Sequence, residues 1–158
     1  MATVIVGDRV GRLGKLAVGC SATLFDAAGQ KMLLACRTDN GMWCVPGGYM
    51  EPGEDFSEAC AREVWEETGL HAKATRLIGI YTTPHRRLEY PDGNRWQLVV
   101  LHFEAEITGG ELKPSVETTA FQFVTPAEAE LLPMNDLDRK RVKDGFARSS
   151  PAFIHDDL

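Results

Sequence analysis

In the segment Gly48–Leu70, GYMEPGEDFSEACAREVWEETGL, the side chains whose types and spacing could do chemistry are Glu54, Arg62, Glu63, Glu66 and Glu67. Side chains on an α-helix advance by about 100° per residue. Glu63, Glu66 and Glu67 would therefore share one face, within an arc of roughly 100°. They would also occupy the last turn and a half of the helix, where the backbone dipole disfavours negative charge. Like charges at neighbouring helix positions cost a few tenths of a kcal/mol per pair. A sequence shaped by stability alone would place Lys or Arg there. The arrangement makes sense around a hard divalent cation, since Mg²⁺ prefers oxygen ligands and retains water for phosphate substrates. A solvated acidic face is the bland alternative, but it leaves the flanking turn and Gly47-Gly48 unexplained. Arg62 must lie beside a cluster of acids rather than alone on the surface.

The positioning elements are legible around these residues. Glu51-Pro52-Gly53-Glu54 carries Pro and Gly at the two central turn positions, the signature of a type II turn. Asp55 followed by Glu58 is an acidic variant of the capping box and predicts a helix start at Asp55. Gly69 supplies a left-handed residue past the helix end, and Leu70 folds back over the last turn.

The same residues carry a family resemblance. Gly48, Glu54, Arg62-Glu63-Val64, Glu66-Glu67, Gly69 and Leu70 fill every fixed position of G-x5-E-x7-R-E-U-x-E-E-x-G-U, where U is aliphatic. The segment resembles the Nudix box. The resemblance implies a metal-dependent hydrolase that cleaves a phosphoanhydride bond in a nucleoside diphosphate linked to another moiety. It implies Mg²⁺ or Mn²⁺ held by Glu63, Glu66, Glu67 and the carbonyl of Gly47, with Arg62 and Glu54 tying loop to helix. Water would attack one phosphorus while the metal offsets charge on the bridging and leaving oxygens.

Outside the box, Glu117 precedes the strand-like Phe121–Val124 run and is a candidate extra ligand or general base. Glu66 and Glu67 remain alternatives for the base. Arg37, His85, Arg86, Arg87 and Arg95 are cations on segments expected to rim the site, and arginine suits bidentate phosphate contacts. Tyr90 and Trp96 could stack a nucleobase or simply pack across strands. Trp43 reads as core packing beside the Gly-Gly loop. Arg139-Lys140-Arg141 reads as a solvated helix face.

Strands are expected at Ala17–Phe25, Lys31–Cys36, Ala74–Thr82, Gln97–Ala105 and Phe121–Val124, with a short apolar entry at Trp43–Gly48. Pro91-Asp92-Gly93-Asn94 joins the two longer strands. Thr125-Pro126 opens a short helix, and Asp136–Ala147 forms a last one with Val142 and Phe146 on its inner face. The pattern predicts an α/β fold, and the resemblance implies a Nudix-type three-layer α/β/α sandwich on a mixed sheet over residues 17 to 147. Residues 1–158 read as a single domain, with 1–16 an N-terminal extension or edge strand built on Thr3–Val6. Gly7, Gly11 and Gly14-Lys15 do not match a phosphate-binding P-loop.

With 158 residues, 44% of them apolar, there is material for a real core. Seventeen Lys and Arg against 23 acids give a net charge of −6. This argues against broad binding to nucleic-acid backbones but not against a small anion brought in by metal. The absence of a long apolar run or signal pattern, and cysteines 20, 36, 44 and 60 without CxxC spacing, point to reduced thiols and a cytoplasmic protein without a membrane partner. Substrates in view are ADP-ribose, nucleotide sugars, dinucleoside polyphosphates and nucleoside triphosphates. A catalytically weak nucleotide-sensing domain and an RNA 5′-pyrophosphohydrolase are the alternatives, and the resemblance leaves a homodimer open.

Overall fold

The computed structural model describes residues 2–155; residue 1 and residues 156–158 of the expected domain lie outside the described residues. The spine is strand β8 (Arg95–Gly110). It pairs in parallel with β2 (Lys15–Leu24), from Lys15↔Trp96 to Leu24↔Ala105. On its other flank it pairs antiparallel with β6 (Leu70–Thr82), from Leu70↔Gly110 to Thr82↔Val99. Beyond the end of β6, the short strand β7 (Arg86–Glu89) continues on that flank and carries β1 (Thr3–Val6) outside it. β5 (Gly47–Tyr49) closes the other side against β2, and β10 (Phe153–His155) runs parallel to β6. A smaller sheet has the order β4 (Trp43–Cys44), β3 (Met32–Arg37), β9 (Thr118–Val124).

Helix α1 (Phe56–Thr68) covers one face and α2 (Pro126–Leu131) with α3 (Asp136–Ala147) the other. The end of β2 shows why. Cys20, Ala22 and Leu24 pack with Ala59, Cys60 and Val64 of α1 in one core. The alternate residues Ser21 and Thr23 point the opposite way, and Thr23 meets Gly145 of α3 so closely that an added Cβ there would lie 2.6 Å from Thr23 Oγ1. A strand buried on both faces reads as a continuous apolar or small-residue run, not an alternation. A second core joins Met32, Leu34, Val45 and Val124 to Ala129 and Val142, with Phe25, Trp43 and Phe146 at its margin. The three-layer mixed α/β architecture expected from the sequence is the one observed.

The structure departs from the sequence expectation at four places. The 74–82 and 97–105 segments are not joined directly by Pro91–Asn94, because that turn closes a hairpin between β7 and β8. Arg86-Arg87-Leu88-Glu89 hides its strand character behind charged side chains. β6 and β8 extend beyond the segments expected, to Leu70 and to Arg95 and Gly110: the Leu70 and Gly110 ends pair with each other, and the Arg95 end pairs with β7 and β2. β10 was not anticipated. Finally, Arg141 is not on a solvated face. Its side chain is 12% exposed and ion-paired with the buried Asp138, whereas Arg139 is more open.

All four cysteines are free thiols; Cys20, Cys44 and Cys60 are buried. Burial pushes the Cys20 and Cys60 thiols up to about 11 and about 12. Neutral buried thiols of this kind are packing groups rather than nucleophiles. No helix of the described residues is long and apolar enough to cross a membrane.

Candidate active site

Helix α1 is held at both ends by its own sequence. Asp55 Oδ1 accepts the N–H groups of Ser57 and Glu58, each at 2.9 Å, and the Asp55 N–H donates back to Glu58 Oε2 at 2.9 Å. At the other end Gly69, at φ 76°, donates to Trp65 O at 2.8 Å. The preceding turn is closed by Glu54 N–H to Glu51 O, with Gly53 at positive φ as a type II turn requires. These caps fix the rotation of the helix and hence the face on which Glu63, Glu66 and Glu67 emerge.

That face meets β5. Gly47 sits at φ 153°, and a Cβ there would fall 2.4 Å from the Cys20 carbonyl oxygen; a Cβ on Gly48 would fall 2.4 Å from Glu63 Oε2. Only glycine lets the backbone approach the carboxylates so closely. The Gly47 N–H donates to Glu67 Oε2 at 2.9 Å.

Arg62 is the counter-charge of the cluster. Its Nε and Nη2 bind Glu54 Oε1 and Oε2 at 2.5 and 3.0 Å, Nη2 also donates to Tyr49 O at 2.8 Å, and Nη1 reaches Glu63 Oε1 at 2.7 Å and Glu66 Oε2 at 3.1 Å. One guanidinium thus ties the turn, β5 and the helix together. The Arg62 contact and the Glu51 N–H hold Glu54 down at about 2. Two of the helix acids move the opposite way. Glu67 is 6% exposed, and withdrawal from water pushes it up to about 7 against the Gly47 N–H, with the charges of Glu63 and Glu117 adding to the shift. Glu63 is also raised, chiefly by burial and despite Arg62. Glu66 is half-exposed.

An all-oxygen donor set beside a close backbone approach fits a hard divalent ion. Raised, mutually repelling carboxylates are groups that a bound cation would relieve. They do not stand preassembled: among the described residues no three acidic, imidazole or thiol groups converge as a metal cage. Arg62 occupies Glu63 and Glu66, and Glu67 is turned to the Gly47 amide, so these side chains would have to swing from those partners to share an ion.

The other sequence candidates fall into two groups. Glu117, just ahead of β9, is near enough for its charge to raise both Glu63 and Glu67, and the neighbouring Thr118 Oγ1 donates to Glu67 O at 2.7 Å. Arg37 at the end of β3 senses Glu67, while Asp39 grips its guanidinium at 2.8 and 2.9 Å. Arg87 and Arg95, by contrast, both pair with Glu89, at 2.9 and 3.1 Å. Trp96 lines a mainly apolar cavity with Tyr81, Arg86, Leu88, Val100 and Leu137. The register relates that cavity to the carboxylates: Val100 lies opposite Gly19, and Gly19 opposite Tyr49 of β5. Glu89 escaped the sequence reading, although Arg87 and Glu89 two residues apart on a strand share a face. Asp39 had the same kind of local signal beside Arg37.

A sequence profile of the NUDIX domain matches residues 15–145. The chain is 35% identical over 112 residues to an ADP-ribose pyrophosphatase of Methanocaldococcus jannaschii, covering 69% of this chain and 58% of that protein. It is 34% identical over 118 residues to a putative 8-oxo-dGTP diphosphatase of Bacillus subtilis, covering 74% and 71%. A MutT-like protein of Streptomyces ambofaciens is 37% identical over 98 residues, 62% of this chain and 57% of that one. The chain thus spans little more than half the length of two of these relatives. In fold it resembles the crystal structure of an ADP-ribose pyrophosphatase from Streptococcus suis, with a TM-score of 0.68 and 22% identity over 90% of this chain and 100% of that one.

Proposed function

The chain belongs to the Nudix hydrolase family, and from that premise we propose that it hydrolyses the phosphoanhydride bond of a nucleoside diphosphate derivative. The observation that carries the reading is the set of three carboxylates at the dipole-disfavoured end of α1, two of them with raised pKa, facing a glycine strand that no larger residue could occupy. Relatives named for ADP-ribose and for 8-oxo-dGTP support a nucleotide substrate.

In this reading Glu63, Glu66, Glu67 and the Gly47 carbonyl hold Mg²⁺ or Mn²⁺. The ion, when bound, supplies Lewis-acid polarisation of the diphosphate and lowers the pKa of water. Arg62 and Glu54 keep the loop and the helix in one frame. Glu117 approaches from β9 and competes with Glu66 and Glu67 for the role of general base. Arg37 offers a cation beside Glu67 for a substrate phosphate. The Trp96 cavity receives the base, with Arg87 and Arg95 shaping the hairpin through Glu89. The domain acts on a small molecule, in the cytoplasm.

The test is hydrolysis of ADP-ribose, 8-oxo-dGTP and nucleotide sugars in ¹⁸O-labelled water with Mg²⁺ or Mn²⁺. Label should enter a phosphate product and never a sugar carbon, and chelator should stop turnover. Cleavage at a sugar carbon, or full activity with excess chelator, would sink the proposal.

A further inference from the structure

The hairpin of β7 and β8 meets strand β5 through a contact that the chemistry above does not use. Tyr49 Oη and Tyr90 Oη lie 2.8 Å apart, one hydroxyl donating to the other. Each tyrosine is fastened elsewhere by its main chain. The Tyr49 carbonyl accepts from Arg62 Nη2 at 2.8 Å, and the same guanidinium holds Glu54, Glu63 and Glu66. Tyr90 closes the hairpin turn: its N–H donates to Asn94 O at 2.8 Å and its carbonyl accepts from Gly93 N–H at 2.9 Å. One pair of hydroxyls therefore links the strand that begins at Gly47 to the hairpin that carries Arg86, Leu88 and Trp96.

Side-chain packing alone does not account for the pair. Tyr49 is 38% exposed and Tyr90 half-buried, so neither ring belongs to a closed core, yet their hydroxyls meet each other. A neutral, partly exposed hydrogen bond shifts an equilibrium by roughly three- to tenfold. That is too little to decide the fold and enough to tune the placement of a loop.

We propose that Tyr49 and Tyr90 are positioning residues: the Tyr90 hydroxyl holds Tyr49, whose carbonyl in turn steadies Arg62 and the glycine strand. The carboxylates are thereby set at a fixed place relative to the hairpin cavity. The inference rests on the metal-carboxylate reading above. Because Tyr49 binds Arg62 through its main-chain carbonyl, removing either phenol oxygen should loosen the site without removing any ligand.

The test uses the full chain and Mn²⁺ alone, with free Mn²⁺ followed by electron paramagnetic resonance and no nucleotide present. Tyr90→Phe and Tyr49→Phe should each weaken Mn²⁺ binding by about three- to tenfold. The double variant should be no weaker than either single one, because both remove the same bond. Melting temperatures in chelator should fall by no more than a few degrees, the cost of one hydrogen bond, which separates loosening of the site from loss of fold. Unchanged Mn²⁺ affinity in Tyr90→Phe, or single effects that add, would overturn the positioning role while leaving the hydrolase reading intact. A wild-type protein that binds no Mn²⁺ would overturn both.

Discussion

Two polar clusters border the same stretch of β2 and are built on opposite terms. On the α3 side, His102 is fully buried, yet its Nδ1 lies 2.8 Å from Ser21 Oγ and its Nε2 lies 2.9 Å from Thr23 Oγ1. A neutral imidazole has one donor and one acceptor, so both ring nitrogens are satisfied. Burial then keeps the ring uncharged, well below its ordinary pKa. On the α1 side, Glu63 and Glu66 crowd around Arg62 while Glu67 turns to the Gly47 N–H, and the two more buried acids are pushed upward. The first cluster is closed and neutral. The second keeps an excess of acid in a place that burial makes costly. Balanced polarity specifies the packing of two layers, whereas imbalance of this kind is typical of sites where a ligand restores it.

The comparison breaks most visibly in turnover. Glu67→Gln keeps an acceptor for the Gly47 N–H but removes the charge, so kcat should fall by about 10²–10⁴-fold with the fold intact. Wild-type rates, with circular dichroism showing a folded protein, would move Glu67 into the same structural category as His102.

The next effect is in stability. Mg²⁺ at about 100 times its dissociation constant should stabilise the native state by roughly 3 kcal/mol, because it binds that state only. Glu63→Gln, Glu66→Gln and Glu67→Gln together should abolish the rise in melting temperature and leave the metal-free protein no less stable. A rise that persists in the triple variant would place the cation elsewhere.

Acid sharpens the contrast, because the two clusters respond with opposite sign. Glu67 has a folded pKa of about 7 against an ordinary 4.5. In chelator its contribution to stability is full below the ordinary value and is lost as pH rises through 7. His102 lies below its ordinary 6.5 in the folded chain. Below pH 6.5 the unfolded state takes up a proton that the folded state refuses, so stability falls as pH falls. Between about pH 6.5 and 4.5 the two should offset each other in the wild type. Urea titrations in chelator should show a steeper acid loss in Glu67→Gln and a net gain toward acid in His102→Gln. Parallel profiles for both variants would contradict the assignment.

The smallest effects belong to the hairpin. Arg95→Ala removes one exposed pair with Glu89 and should change stability by less than about 1 kcal/mol. Trp96→Ala should raise KM unevenly across nucleotides while kcat changes little, the pattern of lost uniform binding. Identical losses for every nucleotide would make the Trp96 cavity a feature of packing alone.

How far the sequence was legible follows the range of the interactions. The turn at Glu51–Glu54, the capping box at Asp55, the Gly69 cap and the acidic face of α1 depend on residues within a few positions of one another, and they stand where the spacing put them. α2 and α3 were equally readable, each starting at a side-chain cap. β7 was hidden because Arg86, Arg87 and Glu89 look like loop residues until β1 and β8 flank them. Arg141 looked solvated because nothing local shows that Asp138 beside it is buried. In the site itself, the clustering of box acids could be read from helix geometry. The contacts of Tyr49 with Tyr90 and of Gly47 with Glu67 join residues 41 and 20 positions apart, and no periodicity reports those.

The parallel pairing of β2 with β8 also constrains how the chain comes to be folded. Ser21 and His102 are 81 positions apart, so β2 has no partner on that side until that much further chain has been made. Closing so large a loop is slow, and β2 with its apolar run is exposed to other chains in the meantime. β5 and α1 rest on β2, so the strand that carries the carboxylate cluster has its second flank supplied only by β8. The local turn and caps of α1 can form early, but the sheet beneath them is completed by a partner that arrives late.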